Sequence, residues 1–209
     1  MSAERGLAGL IAGLALLSLA GQGHMILGLV QAKGGHAGHA LWVFLGFYTI
    51  LTTLLVVACC LARLVRRWPP FWPDPARALA GLALQIGLVG LVYHLLLSGL
   101  WHPTGLHWWA DQGVHTAVPL LFLAHWAMFA PKRGLDWRDA FRWLLYPAGY
   151  FAYALVRGAL DGWYPYPFLD AGRLGHGAVL VNGLGIAAGL VVAGLGLIAA
   201  SRILPAGRP

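Results

Sequence analysis

The sequence predicts an all-α, polytopic membrane protein, built as a bundle of six transmembrane helices. Composition is the first observation: 59% of the 209 residues are apolar, 10% are charged, and the mean hydropathy is +0.71. Soluble domains carry about 25% charged residues. Length is the second: six apolar stretches each reach the ~20 residues that a helix needs to cross a hydrocarbon core. The distribution of basic residues is the third, and it sets the orientation.

The six predicted spans leave no room for a soluble domain, so we expect residues 1–209 to form a single transmembrane domain. They cover about 7–30, 41–65, 77–100, 108–130, 138–160 and 175–202. The first span also has the charged start, apolar centre and small residues near Ala20 that are typical of a signal peptide. We expect a retained helix, because its removal would leave an odd number of spans. Gly9 and Gly13 in this span let another helix approach closely.

Turn residues delimit the later spans. The stretch PPFWPDP, residues 69–75, ends the second span and begins the third, because proline lacks the backbone donor that a helix interior needs. GWYPYPFLD, residues 162–170, joins the fifth span to the sixth, where Gly185 and Gly189 again favour close packing. Tryptophans fall near the ends of spans, as interfacial aromatic residues do: Trp68, Trp72, Trp108, Trp109, Trp137, Trp143 and Trp163.

Basic residues collect at one set of span ends. Eleven lie there: Arg5, Arg63, Arg66, Arg67, Arg77, Lys132, Arg133, Arg138, Arg142, Arg202 and Arg208. Only Lys33, Arg157 and Arg173 lie near the opposite ends. The positive-inside rule therefore predicts that both termini are cytoplasmic. The net charge of +7 indicates topology and lipid headgroups, and we expect no nucleic-acid partner.

Polar side chains recur at one depth below the outer face. Thr49 lies eight residues inside the second span and His115 seven residues inside the fourth, which places both roughly 10–12 Å below the outer boundary. Each remaining span carries a polar residue at a similar depth: His24, His94, Arg157 and Asn182. Ionisable groups at membrane depth are costly and usually functional. This layer predicts a polar pocket that opens outward.

Each residue of the layer also has a structural explanation when it is taken alone. The hydroxyl of Thr49 could bond its own backbone one turn back, and His94 could be a packing histidine. Arg157 could extend to the outer headgroups. Asn182 could join two helices by a hydrogen bond, and His24 could be interfacial. The shared depth favours the functional interpretation of the group.

Asp111 precedes His115 by four residues and therefore shares its helical face. A carboxylate there could hold the imidazole in one tautomer and stabilise its protonated form. Alternatively, Asp111 is an exposed residue that the helix dipole favours at a helix start. A hydroxyl, a histidine and an orienting carboxylate are the parts of an activated nucleophile. Thr49, His115 and Asp111 are therefore the candidate catalytic set, and we expect no metal or cofactor.

Three motifs in this chain resemble the androgen-induced-gene family, which includes the androgen-dependent TFPI-regulating protein and many bacterial members. They are FYTILTTLLVV at residues 47–57, VHTAVPLLFL at 114–123 and RGALDGWYPYPFLD at 157–170. The resemblance runs across most of the chain, in the order and spacing of all three motifs. It implies a multi-pass protein of the bacterial inner membrane.

The resemblance also implies an activity. Animal members of the family are membrane hydrolases that cleave fatty acid esters of hydroxy fatty acids with a threonine nucleophile and a histidine. The histidine of the family's HT…P motif matches His115, and the threonine matches Thr49 within FYTIL. Thr52 and Thr53 lie close by and stay alternative matches, and the family often has asparagine where this chain has Thr53. The implied partner is a lipid substrate that enters from the bilayer.

The remaining polar residues of the layer are candidates for supporting or substrate-binding roles. Arg157 and His94 could stabilise the oxyanion, or a cation there could bind a free carboxylate of the substrate; Asn182 belongs to the same group. Two other classes of function stay open. Paired histidines such as His94 and His115 can ligate a haem, and a lipid-binding or transport protein would use such a pocket without hydrolysis.

Overall fold

The computed structural model describes residues 3–70, 72–205 and 207, and every regular element in these ranges is a helix. Four helical stretches are long and apolar enough to cross a membrane: Ala3–Ala32, Tyr48–Val65, Pro75–Leu97 and Ala171–Ile203. The chain is a helical membrane protein. Arg208, one of the basic residues counted above, lies outside the described residues.

The chain divides into two compact units, residues 1–134 with 203–209 and residues 135–202. The long helices of the first unit are α1 (Ala3–Ala32), α2 (Ala37–Phe44), α3 (Tyr48–Val65), α4 (Pro75–Val92), α5 (Gly105–Gln112) and α6 (Val118–Phe129). One π-helical turn follows α4 (π1, Tyr93–Leu97) and another joins α5 to α6 (π2, Gly113–Ala117). The third and fourth predicted spans are therefore helical but not uniform.

Helix α1 is the centre of the first unit, because it packs against α2, α3, α5, π2 and α6. Small residues set its distance from α5 and π2. A Cβ added at Gly21 would lie 2.5 Å from the Cβ of Ala110, and a Cβ added at Gly113 would collide with Ser18. These pairs show that α1 and α5 run antiparallel and approach closely, as helices with small contact residues do.

The second predicted span is not one continuous helix. Helix α2 ends at Phe44, and α3 begins at Tyr48 after an extended residue, Phe47, with φ −88° and ψ 130°. Gly46 in the break disfavours a helix because of its backbone entropy. The prediction of an unbroken helix from residue 41 is therefore wrong, and Thr49 lies in the first turn of a helix instead of two turns inside one.

The π-helical turn π2 has a cause in the sequence. Pro119 has no N–H and cannot bond the carbonyl of His115 four residues earlier. The chain widens there, and the N–H of Val118 bonds the carbonyl of Gly113 five residues back. In π1 the N–H of Ser98 bonds the Tyr93 carbonyl at 2.8 Å, and its hydroxyl bonds the His94 carbonyl at 3.2 Å. Such turns are frequent at functional sites.

The second unit contains the last two predicted spans. Its helices are α7 (Asp139–Arg142), α8 (Leu145–Asp161), a 3₁₀ turn (Pro167–Leu169), α9 (Ala171–Leu174) and α10 (His176–Ile203). Helix α8 ends at Gly162, whose φ of 72° is left-handed. A Cβ added at Gly158 would collide with the ring of Tyr164, so this glycine lets the 162–170 stretch fold back onto its own helix.

Several of the basic residues that predict orientation have partners. Arg63 bonds Glu4 through Nε at 2.9 Å and Nη2 at 2.5 Å, and Arg142 bonds Asp139 at 2.6 Å. Lys132 is buried and donates to the carbonyls of Ala130 at 3.1 Å and Pro205 at 2.8 Å. Burial lowers the pKa of Lys132. Lys132 therefore anchors the chain locally instead of facing headgroups.

Gly113→Ala is expected to lower the free energy of unfolding by about 1–3 kcal/mol, because the new methyl group overlaps Ser18 on α1. Gly13→Ala is the matched control, since a Cβ added at Gly13 meets nothing within 4 Å, and the close helix approach expected at Gly13 is therefore wrong. Thermal unfolding in detergent measures both. Equal melting temperatures for the two variants would contradict the close packing of α1 on π2.

Candidate functional site

The structure brings Thr49 and His115 together from different helices. Thr49 Oγ1 lies 3.4 Å from His115 Nε2, which is the outer limit of a hydrogen bond. Thr49 is buried in the first turn of α3, and His115 is partly buried in π2. The first turn of a helix carries the positive end of its dipole. Negative charge that develops on Thr49 Oγ1 is therefore favoured there.

Asp111 holds the other side of the imidazole. His115 Nδ1 lies 3.0 Å from the backbone carbonyl of Asp111 and 3.2 Å from its carboxylate oxygen Oδ1. Both neighbours are acceptors, so Nδ1 carries the proton and Nε2 presents its lone pair to Thr49. The carboxylate is 0% exposed. Of the two interpretations of Asp111, the structure favours the orienting one.

Tyr93 completes the site, and sequence reasoning missed it. Its hydroxyl donates a short hydrogen bond to Asp111 Oδ2, and its ring stacks on the imidazole of His115 with centroids 4.1 Å apart and planes 7° apart. Tyr93 therefore contacts both the carboxylate and the base. A signal was available, because a tyrosine inside an apolar span needs a hydrogen-bond partner when it is buried.

Hydrogen bonds continue from Tyr93 to the surface of the first unit. Gln112 Nε2 lies 3.5 Å from the Tyr93 hydroxyl, and Thr116 donates to Gln112 Oε1 at 2.8 Å. His94 Nε2 lies 3.0 Å from Thr116 Oγ1. His94 itself is exposed, as is His24, so two histidines of the predicted layer do not face inward.

The alternative threonines are deeper in α3. Thr52 and Thr53 are both fully buried. The hydroxyl of Thr53 has no hydrogen-bond partner among the residues that the structure describes. Next to Thr49, the hydroxyl of Tyr48 donates to Gln85 Oε1 at 2.7 Å, which fixes the start of α3 against α4.

Arg157 and Asn182 belong to the second unit. Arg157 is 2% exposed, donates to the Tyr153 hydroxyl at 3.1 Å, and has its guanidinium carbon 5.2 Å from the Trp163 ring centroid. Asn182 donates to the carbonyl of Phe168 at 2.9 Å. Arg157 is thus a buried cation among aromatic rings, and Asn182 holds the 162–170 stretch to α10.

Within the described ranges, histidine, cysteine and carboxylate side chains form no group of three that could hold a metal ion. The two ring nitrogens of His115 face Asp111 and Thr49. The arrangement brings a hydroxyl, an imidazole and a buried carboxylate together, which is the set of groups that an activated nucleophile requires.

Comparison with known proteins finds no matching family model, no similar curated protein and no similar solved structure. Function is therefore argued from the side chains of the site.

The geometry predicts the tautomer of His115. In the neutral ring we expect the proton on Nδ1 and the lone pair on Nε2, because Nδ1 faces two acceptors and Nε2 faces a hydroxyl. Nitrogen-15 NMR of histidine-labelled protein distinguishes the two forms, with His115→Ala used to assign the signal. A neutral ring protonated on Nε2 would contradict the arrangement.

Proposed function

We propose that this protein is an intramembrane hydrolase of lipid esters, with Thr49 as the nucleophile and His115 as the general base. The observation that carries the proposal is the 3.4 Å contact between Thr49 Oγ1 and His115 Nε2, supported by the buried carboxylate of Asp111. A hydroxyl is a weak nucleophile until an adjacent base removes its proton. Asp111 and Tyr93 fix that base in place.

The first half of the reaction transfers the acyl group to the enzyme. Thr49 Oγ1 attacks the ester carbonyl carbon while its proton moves to His115 Nε2, and the carbonyl electron pair moves onto oxygen. As the tetrahedral intermediate collapses, the bond to the alcohol oxygen breaks. His115 returns the proton to that oxygen. The alcohol leaves, and the acyl group stays on Thr49.

Water completes the second half. His115 Nε2 takes a proton from a water molecule as its oxygen attacks the acyl carbon, and a second tetrahedral intermediate forms. Its collapse breaks the bond to Thr49 Oγ1, which recovers a proton from His115. One ester and one water molecule give one fatty acid and one alcohol, and no cofactor is required.

The imidazolium that forms at His115 has two stabilising neighbours. The carboxylate of Asp111 lies 3.2 Å from Nδ1, and the ring of Tyr93 offers its π face at 4.1 Å. The hydrogen bond from Tyr93 holds the Asp111 carboxylate in place beside Nδ1. The pair stabilises the charged base that appears only in the reaction.

The substrate class and the cellular setting follow from the resemblance and the hydropathy. We propose a bacterial member of the androgen-induced-gene family in the inner membrane, with six spans and cytoplasmic termini. Its substrate is a fatty acid ester of a hydroxy fatty acid, or a similar acyl ester from the bilayer.

Purified protein in detergent micelles should release fatty acid from an ester of a hydroxy fatty acid. Thr49→Ala and His115→Ala are each expected to lower turnover by about 10⁴-fold or more, because nucleophile and base act as a unit. Thermal unfolding of each variant controls for folding. Full activity in Thr49→Ala would show that Thr49 is not the nucleophile. If the wild-type protein bound the ester without cleaving it, the protein would be a lipid-binding protein instead of a hydrolase.

Thr52→Val and Thr53→Val are the matched controls for the neighbouring hydroxyl groups, because valine keeps the shape of threonine. Both variants should keep activity within a few-fold of the wild type. If one of them lost turnover while Thr49→Ala kept it, the nucleophile would be that other threonine of α3. An absorbance spectrum with a Soret band would instead favour the haem-binding alternative.

Tyr93→Phe is expected to lower kcat by about 10²-fold with little change in KM, because the stacked ring remains while Asp111 loses its donor and shifts. Tyr93→Leu removes the stacking as well and should lower kcat further. Steady-state kinetics over a range of pH measures both variants. If the two variants were equally active, the π face would have no role.

A further inference from the structure

Gln22 on α1 is a buried amide without a use in the fold. Its side chain is 6% exposed, and Nε2 has no hydrogen-bond partner within the part of the chain that the structure describes. An unsatisfied amide is costly inside a protein and more so at membrane depth, so such a group calls for an explanation. The proposed mechanism leaves one need unmet, a donor for the oxyanion.

The packing of α1 places Gln22 beside the site. Ser18, one turn earlier on the same face, lies against Gly113, the first residue of π2. A Cβ added at Gly23 would lie 3.7 Å from the ring of Phe44, at the end of α2 just before Thr49's helix. Gln22 therefore lies between two contacts of α1. One is the contact of Ser18 with π2, which carries His115, and the other is the contact of Gly23 with the end of α2, which precedes Thr49.

The directions of the side chains bring the groups nearer. The antiparallel register set by Ser18 with Gly113 and by Gly21 with Ala110 places Gln22 about a turn and a half from the level of His115. Side chains on a helix lean toward its N-terminus. In two antiparallel helices Gln22 and His115 therefore lean toward each other.

The first turn of α3 supplies a second element. Thr49 attacks from the positive end of this 18-residue helix, so the developing oxyanion forms close to the helix N-terminus. An amide donor on α1, which packs against both α3 and π2, would complete the stabilisation of that charge. We propose that Gln22 Nε2 donates a hydrogen bond to the oxyanion of both tetrahedral intermediates, together with the N-terminus of α3.

This assignment rests on the proposed hydrolase and replaces the two oxyanion candidates that depth alone suggests. His94 is exposed, and its Nε2 lies against Thr116. Arg157 donates to Tyr153 in the second unit. Gln22 is instead in the first unit with Thr49, and its Nε2, which has no partner among the described residues, is available to donate to a substrate oxygen.

Gln22→Met tests the assignment, because methionine has a similar length and no donor. We expect kcat to fall by about 10²- to 10³-fold with little change in KM, as for loss of one oxyanion donor. We also expect the melting temperature to rise, since an unsatisfied buried amide is removed. Gln31→Met, an exposed glutamine on the same helix, should change neither value.

A second measurement uses a fatty acyl trifluoromethyl ketone, whose adduct with a hydroxyl nucleophile carries the oxyanion. Gln22→Met should weaken its binding by about the same 10²- to 10³-fold factor as kcat. Unchanged kcat and unchanged ketone affinity in this variant, with both lost in Thr49→Ala, would overturn the role of Gln22 alone. Unchanged values in Thr49→Ala would overturn the hydrolase, and the oxyanion donor with it.

Discussion

A carboxylate enclosed by an apolar helical bundle is the constraint on which the rest of this site depends. Asp111 is fully buried, and an isolated charge in such a place is unstable unless it is paired and hydrogen-bonded. Tyr93 donates to Oδ2, and Oδ1, which has no hydrogen bond among the described residues, lies 3.2 Å from His115 Nδ1. The same contacts that make the carboxylate tolerable fix the ring of His115, so the stability of the site and its chemistry have one origin.

The backbone around the Asp111 carboxylate departs from a regular α-helix at π1 and π2. Tyr93 and His115 both lie in π-helical turns, and Pro119 accounts for the second of these. Glycines bring neighbouring backbones up to the widened turn: a Cβ at Gly90 would lie 3.1 Å from the carbonyl of His115, and Gly113 leaves room for Ser18. The two glycines and the missing N–H of Pro119 thus determine the orientation of the His115 imidazole.

The sequence predicted that Thr49, His115 and Asp111 lie together but not how each helix is rotated about its axis. Spacing by four residues put Asp111 on the face of His115, and equal predicted depth put Thr49 opposite; the structure shows His115 in contact with both residues. His94 has a comparable depth but is exposed, because depth carries no information on which way a side chain points. The proposed roles of these residues stay predictions.

Other features depended on contacts between helices that a single sequence does not display. The break before Tyr48 moved Thr49 into a first turn, where a helix dipole acts on it. Gln22 stands between Gly21 and Gly23 in the sequence, and its proposed role follows only from the register of α1 against π2. The fourth and fifth predicted spans are not among the four long apolar helical stretches of the described residues, because π2 and the turn after α7 interrupt them.

Chemical trapping of the nucleophile tests the central claim most directly. Wild-type protein and His115→Ala would be treated with a lipid-like fluorophosphonate, digested and mapped by mass spectrometry. The account predicts one phosphonylated residue, Thr49, in the wild-type protein and little or no adduct in His115→Ala, because the base that activates the hydroxyl is gone. Modification of Thr52 or Thr53 instead, or labelling of Thr49 that is independent of His115, would contradict it.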